Sequence, residues 1–254
     1  MNQFFFVGKD EKPLDRMVSD GGFCTIFRTI CCIGDSLSSG EFETRDKEGN
    51  IFYHDFFEYS WGQYIARMTG SKVYNFSRGG MTAKEYCETF AHTMGYWAPS
   101  KAAQAYIIAL GVNDIYQDIE LGRAGDENKG TFASYYLNII RRYRELSRGS
   151  VFFLVTMAKE ESDTEEVTKK KLLHREILYQ CSKLLDQVYV IDLYQYAPVY
   201  DREFKENFYL YGHMNAAGYY VTAKMIASYI DYIIRSHFEK FKEVGLIGSG
   251  IVTF

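Results

Sequence analysis

Four short stretches of this chain hold residues whose types and spacing could do chemistry. They are Gly34-Asp35-Ser36-Leu37-Ser38, Ser77-Arg78-Gly79-Gly80-Met81-Thr82, Gly111-Val112-Asn113-Asp114 and Leu210-Tyr211-Gly212-His213. Together they offer a serine hydroxyl, turn glycines, a side-chain amide and an imidazole. A serine becomes a nucleophile when a base lies within hydrogen-bond reach. The oxyanion formed on an attacked carbonyl needs donors already aimed at it. The inventory therefore suits acyl transfer. Taken singly, each residue has an ordinary explanation. Ser36 could be only a helix N-cap. Asn113 and Asp114 could be turn residues, Gly79 and Gly80 could serve turn geometry, and His213 could be a solvated loop residue.

What brings such residues together is the element that precedes each of them. Residues 25–33, 72–76, 104–110, 151–156 and 188–193 are short runs rich in Val, Ile, Phe, Tyr or Cys. They read as strands buried on both faces. Helical periodicity fills the intervals. It appears over 56–68, after a cap at Thr131 (Phe132, Tyr135, Tyr136, Ile139, Ile140, Tyr143), over 167–185, and after a cap at Asn215 (Val221, Met225, Tyr229, Ile230, Ile233, Ile234). Strands alternating with helices predict a parallel sheet with right-handed crossovers. The expected fold is α/β: a three-layer α/β/α sandwich on a five-stranded parallel sheet, in the flavodoxin-like order 2-1-3-4-5. In such sheets ligands bind beyond the carboxyl ends of the strands. Three of the four stretches directly follow a strand, and the fourth lies between the last strand and the last helix.

In these four blocks, in this order and spacing, the chain resembles the GDSL/SGNH hydrolases, over most of its length apart from the two ends. The resemblance implies an esterase on the SGNH hydrolase fold, without a cofactor. Carried over by position, Ser36 is the nucleophile and His213 the general base. The oxyanion hole would be the backbone N–H groups of Ser36 and Gly80 with the Asn113 side-chain amide. Ser36 and His213 are expected to approach within about 3–4 Å. One departure stands out. The family has a carboxylate three residues before the histidine, and here that position is Leu210. A backbone carbonyl could hold the imidazole instead, giving a dyad. A carboxylate of the preceding loop, Asp201, Glu203 or Glu206, could substitute. Activity could also have been lost.

The expected reaction removes a short acyl group, such as acetyl, from a small-molecule or carbohydrate ester through an acyl-serine. The seven aromatic residues Phe42, Phe52, Tyr53, Phe56, Phe57, Tyr59 and Trp61 lie in or beside a polar insertion at 38–57 and could supply a platform for a sugar ring. A lipid-type or thioester acylhydrolase is the alternative, and a non-catalytic binding module on the same fold is a third. A phosphate-binding loop is the physical rival, but neither G-x-x-x-x-G-K-[ST] nor G-x-G-x-x-G occurs. The nucleophile elbow G-x-S-x-G is absent too.

Bulk composition narrows the classes. With 29 Lys+Arg against 33 Asp+Glu the net charge is −4, which gives no footprint for nucleic acid. The 254 residues and 47% hydrophobic content suit one domain, 1–254, decorated by an N-terminal arm 1–23 and a C-terminal tail 239–254. Arm and tail are expected to pack on the domain edge or on another subunit of a homo-oligomer. The five cysteines lack C-x-x-C spacing, so they read as small hydrophobes in a reducing compartment. No metal-ligand spacing links the histidines. His174 and His237 read as helix-surface residues, His54 as a candidate for the pocket wall, and the run at 168–176 as a solvated helix face. No apolar stretch approaches a membrane span. The location expected is cytoplasmic.

Overall fold

The computed structural model describes residues 5–126 and 130–251. The ends of the expected arm and tail, 1–4 and 252–254, lie outside the described residues.

Strand β1, Thr29–Gly34, sets the architecture. Side chains alternate across a strand, and here both sets are apolar. Ile30 and Cys32 enter one buried layer, while Cys31 and Ile33 enter the other. β1 pairs in parallel with β2 (Lys72–Ser77) on one side and β3 (Ala105–Ala109) on the other. β4 (Val151–Val155) and β5 (Val188–Ile191) extend the sheet beyond β3. The order is β2-β1-β3-β4-β5, with every pair parallel. This is the flavodoxin-like order expected. The first strand is shorter than the run at 25–33 predicts. Residues 22–26 form a 3-10 helix, because Gly21 and Gly22 turn the chain with φ of 82° and 50°.

The helices that flank the sheet, and the turn after β1, start where a capping side chain stands. Helix α1 (Ser36–Ser39) is one turn capped by Asp35. Ser60 caps α2 (Trp61–Thr69), so the helix expected from residue 56 begins later. Thr131 caps α3 (Phe132–Leu146), Thr164 caps α4 (Glu165–Leu184), and Asn215 caps α5 (Ala216–Ser236). Each such cap contributes about 1 kcal/mol. α2 and α5 cover one face of the sheet, and α3 and α4 the other.

α4 corrects one reading of the sequence. The polar run at 168–176 is not wholly a solvated face. Lys171 is buried and held by Asp163 (2.8 Å) and Glu160 (3.3 Å). His174 is fully buried against the Leu110 carbonyl at 2.9 Å, and burial pushes its pKa down to about 4. Polar groups can enter the interior when partners meet them, and here the loops after β3 and β4 supply partners for His174 Nε2 and for the Lys171 ammonium.

The insertion at 38–57 holds an antiparallel hairpin of Glu41–Arg45 with Ile51–Asp55. Period-two alternation turns Phe42 toward Phe56, Tyr59 and Tyr219. It turns Glu41 and Glu43 the other way. The N-terminal arm runs along α5, where Val18 N–H donates to Ser228 Oγ (3.0 Å) and Phe23 N–H to Asp231 Oδ1 (2.9 Å). The tail packs at the amino end of the sheet, where Gln104 Nε2 donates to the Val244 carbonyl at 2.9 Å. All five cysteines are buried and free. Among the described residues, no helix is long and apolar enough to cross a membrane.

Candidate active site

The rim at the carboxyl end of β1 is built on a close approach. α1 folds back over the end of its strand so tightly that a Cβ at Gly34 would collide with the Ser38 side chain. Glycine is needed there because the backbone leaves no room. Ser36 therefore stands at the first position of a helical turn. Among the described residues, its backbone N–H has no acceptor. Asp35 caps the turn by accepting from Leu37 N–H at 3.1 Å. Its Oδ2 is buried without a partner, and burial pushes its pKa up to about 7.

Sheet register brings two more blocks alongside. Gly34 pairs with Ser77 on one flank and Ala109 on the other. The loops 78–82 and 110–113 thus leave the rim on either side of Ser36. Gly80 takes φ +72°, a conformation that suits glycine, and faces open space. Neither Gly79 nor Gly80 N–H has an acceptor among the described residues. The two loops are tied together. Asn113 Nδ2 donates to the Met81 carbonyl at 3.2 Å, and the buried Asp114 carboxylate accepts from Ala83 N–H at 3.1 Å. Burial raises the Asp114 pKa to about 6.

His213 arrives from the loop before α5. Leu210 pairs with it across a two-residue ladder, and Tyr211 takes φ +58° in the turn between them. α5 joins this loop to the rim: Tyr219 Oη donates to the Glu41 carbonyl (2.6 Å) and reaches the Ser36 carbonyl (3.4 Å). The imidazole is not hydrogen-bonded to Ser36. Its Nε2 meets Glu41 Oε1 at 3.1 Å, and its Nδ1 lies 3.6 Å from Glu43 Oε2. The Tyr53 ring stands edge-on at 5.5 Å. Burial pulls the His213 pKa down, but the Glu41 and Glu43 carboxylates outweigh it and hold the pKa above its ordinary value. Burial would raise Glu43, yet hydrogen bonds from Arg45 and Gly212 N–H hold it below the usual carboxylate range.

The loop carboxylates expected to stand in for position 210 are engaged elsewhere. Asp201 caps the helix Arg202–Phe208 through Phe204 N–H (2.8 Å), and Glu206 pairs with Arg202 (2.7 Å). Glu203 is exposed on that helix. Asp201 and Glu203 are the helix's cap and first turn, which favour acids for reasons of their own. Glu41 and Glu43 were not singled out from sequence. The signal was the spacing Glu41-Phe42-Glu43, which on a strand places two carboxylates on one face. His54 is exposed and bonded to Thr44 Oγ1 at 2.9 Å, on the outer part of the hairpin.

Beneath the rim lies a cavity of about 120 Å³. Its walls include Leu37, Trp61, Val112, Val155, Met214 and Ile226, with Asp35 and Ser38 at its edge. It is mostly apolar, and it adjoins the residues next to Ser36, Asn113 and His213. Among the described residues, no group of three or more His, Cys, Asp or Glu side chains could hold a metal ion.

Residues 32–221 match the GDSL-like Lipase/Acylhydrolase family. Similar solved structures include a family two carbohydrate esterase from Clostridium thermocellum in complex with cellohexaose. It shows 17% identity and a TM-score of 0.61, covering 82% of this chain and 64% of that one. An acetyl xylan esterase, AlAXEase, shows 17% identity and a TM-score of 0.52, covering 79% and 98%. A family 3 carbohydrate esterase from Clostridium thermocellum shows 15% identity and a TM-score of 0.53, covering 82% and 96%. At these identities the likeness is one of fold. No curated protein matches the chain.

Proposed function

Because the chain belongs to the GDSL-like lipase/acylhydrolase family and is a carboxylic ester hydrolase, we propose that Ser36 and His213 carry its reaction and that the substrate is a short-chain ester of a small molecule or saccharide. The observation that carries this reading is the rim itself. Ser36 stands at the start of α1, and the backbone N–H groups of Ser36 and Gly80 have no acceptor among the described residues. Unclaimed donors beside a serine are what a developing oxyanion requires.

In this mechanism His213 takes the Ser36 proton as the hydroxyl oxygen attacks the ester carbonyl. The oxyanion is held by the Ser36 and Gly80 N–H groups and by the Asn113 amide. His213 then hands its proton to the leaving alcohol, and the acyl group stays on Ser36 Oγ. Water, deprotonated by His213, attacks the acyl-serine, and His213 returns that proton to Ser36 Oγ as the acid is released. For the first step His213 Nε2 must turn from Glu41 to Ser36. Catalytic hydrogen bonds are often loose before substrate binds.

Two features bear on the substrate. The cavity of about 120 Å³ is smaller than the roughly 150 Å³ cavity known to take a benzene molecule, so it suits an acyl group of few carbons. Outside it, Tyr53 and Tyr211 are exposed, Tyr53 edge-on to the His213 ring and Tyr211 in the turn before it. Exposed aromatic faces at that place suit a sugar ring in the leaving alcohol. The acetyl xylan and carbohydrate esterases among the similar structures accord with this choice.

The test is hydrolysis of p-nitrophenyl acetate by the wild type, Ser36→Ala and His213→Ala. The expected loss in kcat is on the order of 10³–10⁶ for each variant. Wild-type rates in either variant would refute the assignment.

A further inference from the structure

We infer that Glu43, on the inserted hairpin, replaces the carboxylate missing at position 210 and positions His213 as the base. The inference rests on the Ser36–His213 reading above. A histidine that must present Nε2 to a serine needs its other nitrogen held, in the right tautomer, by an acceptor. Glu43 Oε2 is the group on that side, 3.6 Å from Nδ1. That distance is longer than a hydrogen bond, and the same Nδ1 is buried with no closer partner.

What fits Glu43 to the role is its fixity. Its side chain is 5% exposed. Oε1 accepts from Arg45 Nε (3.0 Å) and Nη2 (2.9 Å), and Oε2 accepts from Gly212 N–H at 2.9 Å. The last bond joins it to the residue directly before His213. A buried carboxylate with these donors stays charged and still.

Glu41 differs. It lies on the Nε2 side, where Ser36 must act, and its carboxylate has no hydrogen-bond donor fixing it among the described residues other than the imidazole. An acid there would compete with the nucleophile for Nε2, so it cannot be the orienting group in the same ring pose. The edge of the Tyr53 ring also faces the imidazole, and the Asp35 carboxyl in the turn after β1 is near enough to interact with it through charge. From α5, the Tyr219 hydroxyl is committed to backbone carbonyls.

The experiment is the pH profile of kcat and kcat/KM on p-nitrophenyl acetate for the wild type, Glu43→Gln, Glu43→Asp, Glu41→Gln and Ser36→Ala, each checked by thermal melting. Removing the Glu43 charge should lower the histidine's proton affinity. The acidic limb of kcat/KM should then move to lower pH, while the kcat plateau falls on the order of 10²–10⁴ and KM changes little. Glu43→Asp should regain part of the plateau. Glu41→Gln should move the limb the same way and lower the plateau less than Glu43→Gln does.

A Glu43→Gln enzyme with the wild-type plateau and limb overturns the inference, even if its melting temperature falls, because the role would then be structural. Loss of the plateau in Glu41→Gln but not in Glu43→Gln overturns it as well. If Glu43→Gln does not fold, the Glu43→Asp profile decides, and a plateau equal to the wild type's counts against positioning. An active Ser36→Ala would instead refute the reading beneath the inference, and leaves these outcomes distinct.

Discussion

An imidazole between two carboxylates holds its proton more tightly than one in water, and His213 has Glu41 and Glu43 on its two nitrogens. Its pKa is raised, so the base form is lost as pH falls through a higher value than usual, and esterase activity should rise with pH through that range. Asn113 tests the other side of the site. One of its amide hydrogens is given to the Met81 carbonyl, which leaves the second free to meet an oxyanion. Asn113→Ala should lower kcat by about 10²–10³ with little change in KM. Equal turnover in the variant, measured on p-nitrophenyl acetate, would remove the amide from the oxyanion hole. Ser36, Gly80, Asn113 and His213 can be named as candidates from the sequence, because block order and spacing survive without any knowledge of contacts. Glu43 was not legible. It lies 170 residues before His213, and nothing local in the chain reports a pairing across that distance.

At the scale of elements, the hairpin 41–55 is the part that departs most from what periodicity foretold. Its sequence is that of a polar and aromatic insertion outside the alternation of strands and helices. A short antiparallel ladder with one face on Phe56, Tyr59 and Tyr219 tolerates that mixture. The hairpin also bounds the outer face of the site. Arg45 lies over the Tyr211 ring, 4.7 Å from its centroid, so the hairpin and the histidine loop meet there. If this aromatic surface receives the sugar, Tyr211→Ala should raise KM for an acetylated oligosaccharide about tenfold, which is ~1.4 kcal/mol of binding. The kcat on p-nitrophenyl acetate should stay at the wild-type level. Steady-state kinetics on both substrates measure this, and an unchanged KM on the saccharide would exclude Tyr211 from the platform.

For the whole molecule, the arm and α5 form a second polar interior far from the rim. Arg235 is buried, paired with Asp231 at 2.7 Å and with Glu11 of the arm. Asp231 in turn accepts from Phe23 N–H. Removing one partner of a buried ion pair strands the other, at a cost of about 3–5 kcal/mol. Arg235→Ala should therefore lower the unfolding free energy by that much, as read from denaturant titration. Its kcat at 25 °C should remain that of the wild type, since the pair touches no residue of the site. A stability loss below about 1 kcal/mol would mean that solvent reaches Asp231 and relieves the stranded charge.

The sequence by itself determined the local facts: which runs are apolar on both faces and so become inner strands, which side chains can cap the helices, and which four blocks close on one rim. Those follow from periodicity, capping chemistry and block spacing, all short-range properties of a chain. Tertiary structure alone decided the rest. It buried His174 and Lys171 in a helix whose composition reads as solvated, since the groups that meet His174 Nε2 and the Lys171 ammonium come from other loops. It bound the loop acids near position 203 to their own helix, and it brought the carboxylates of a distant hairpin to His213, because side-chain proximity depends on how layers pack.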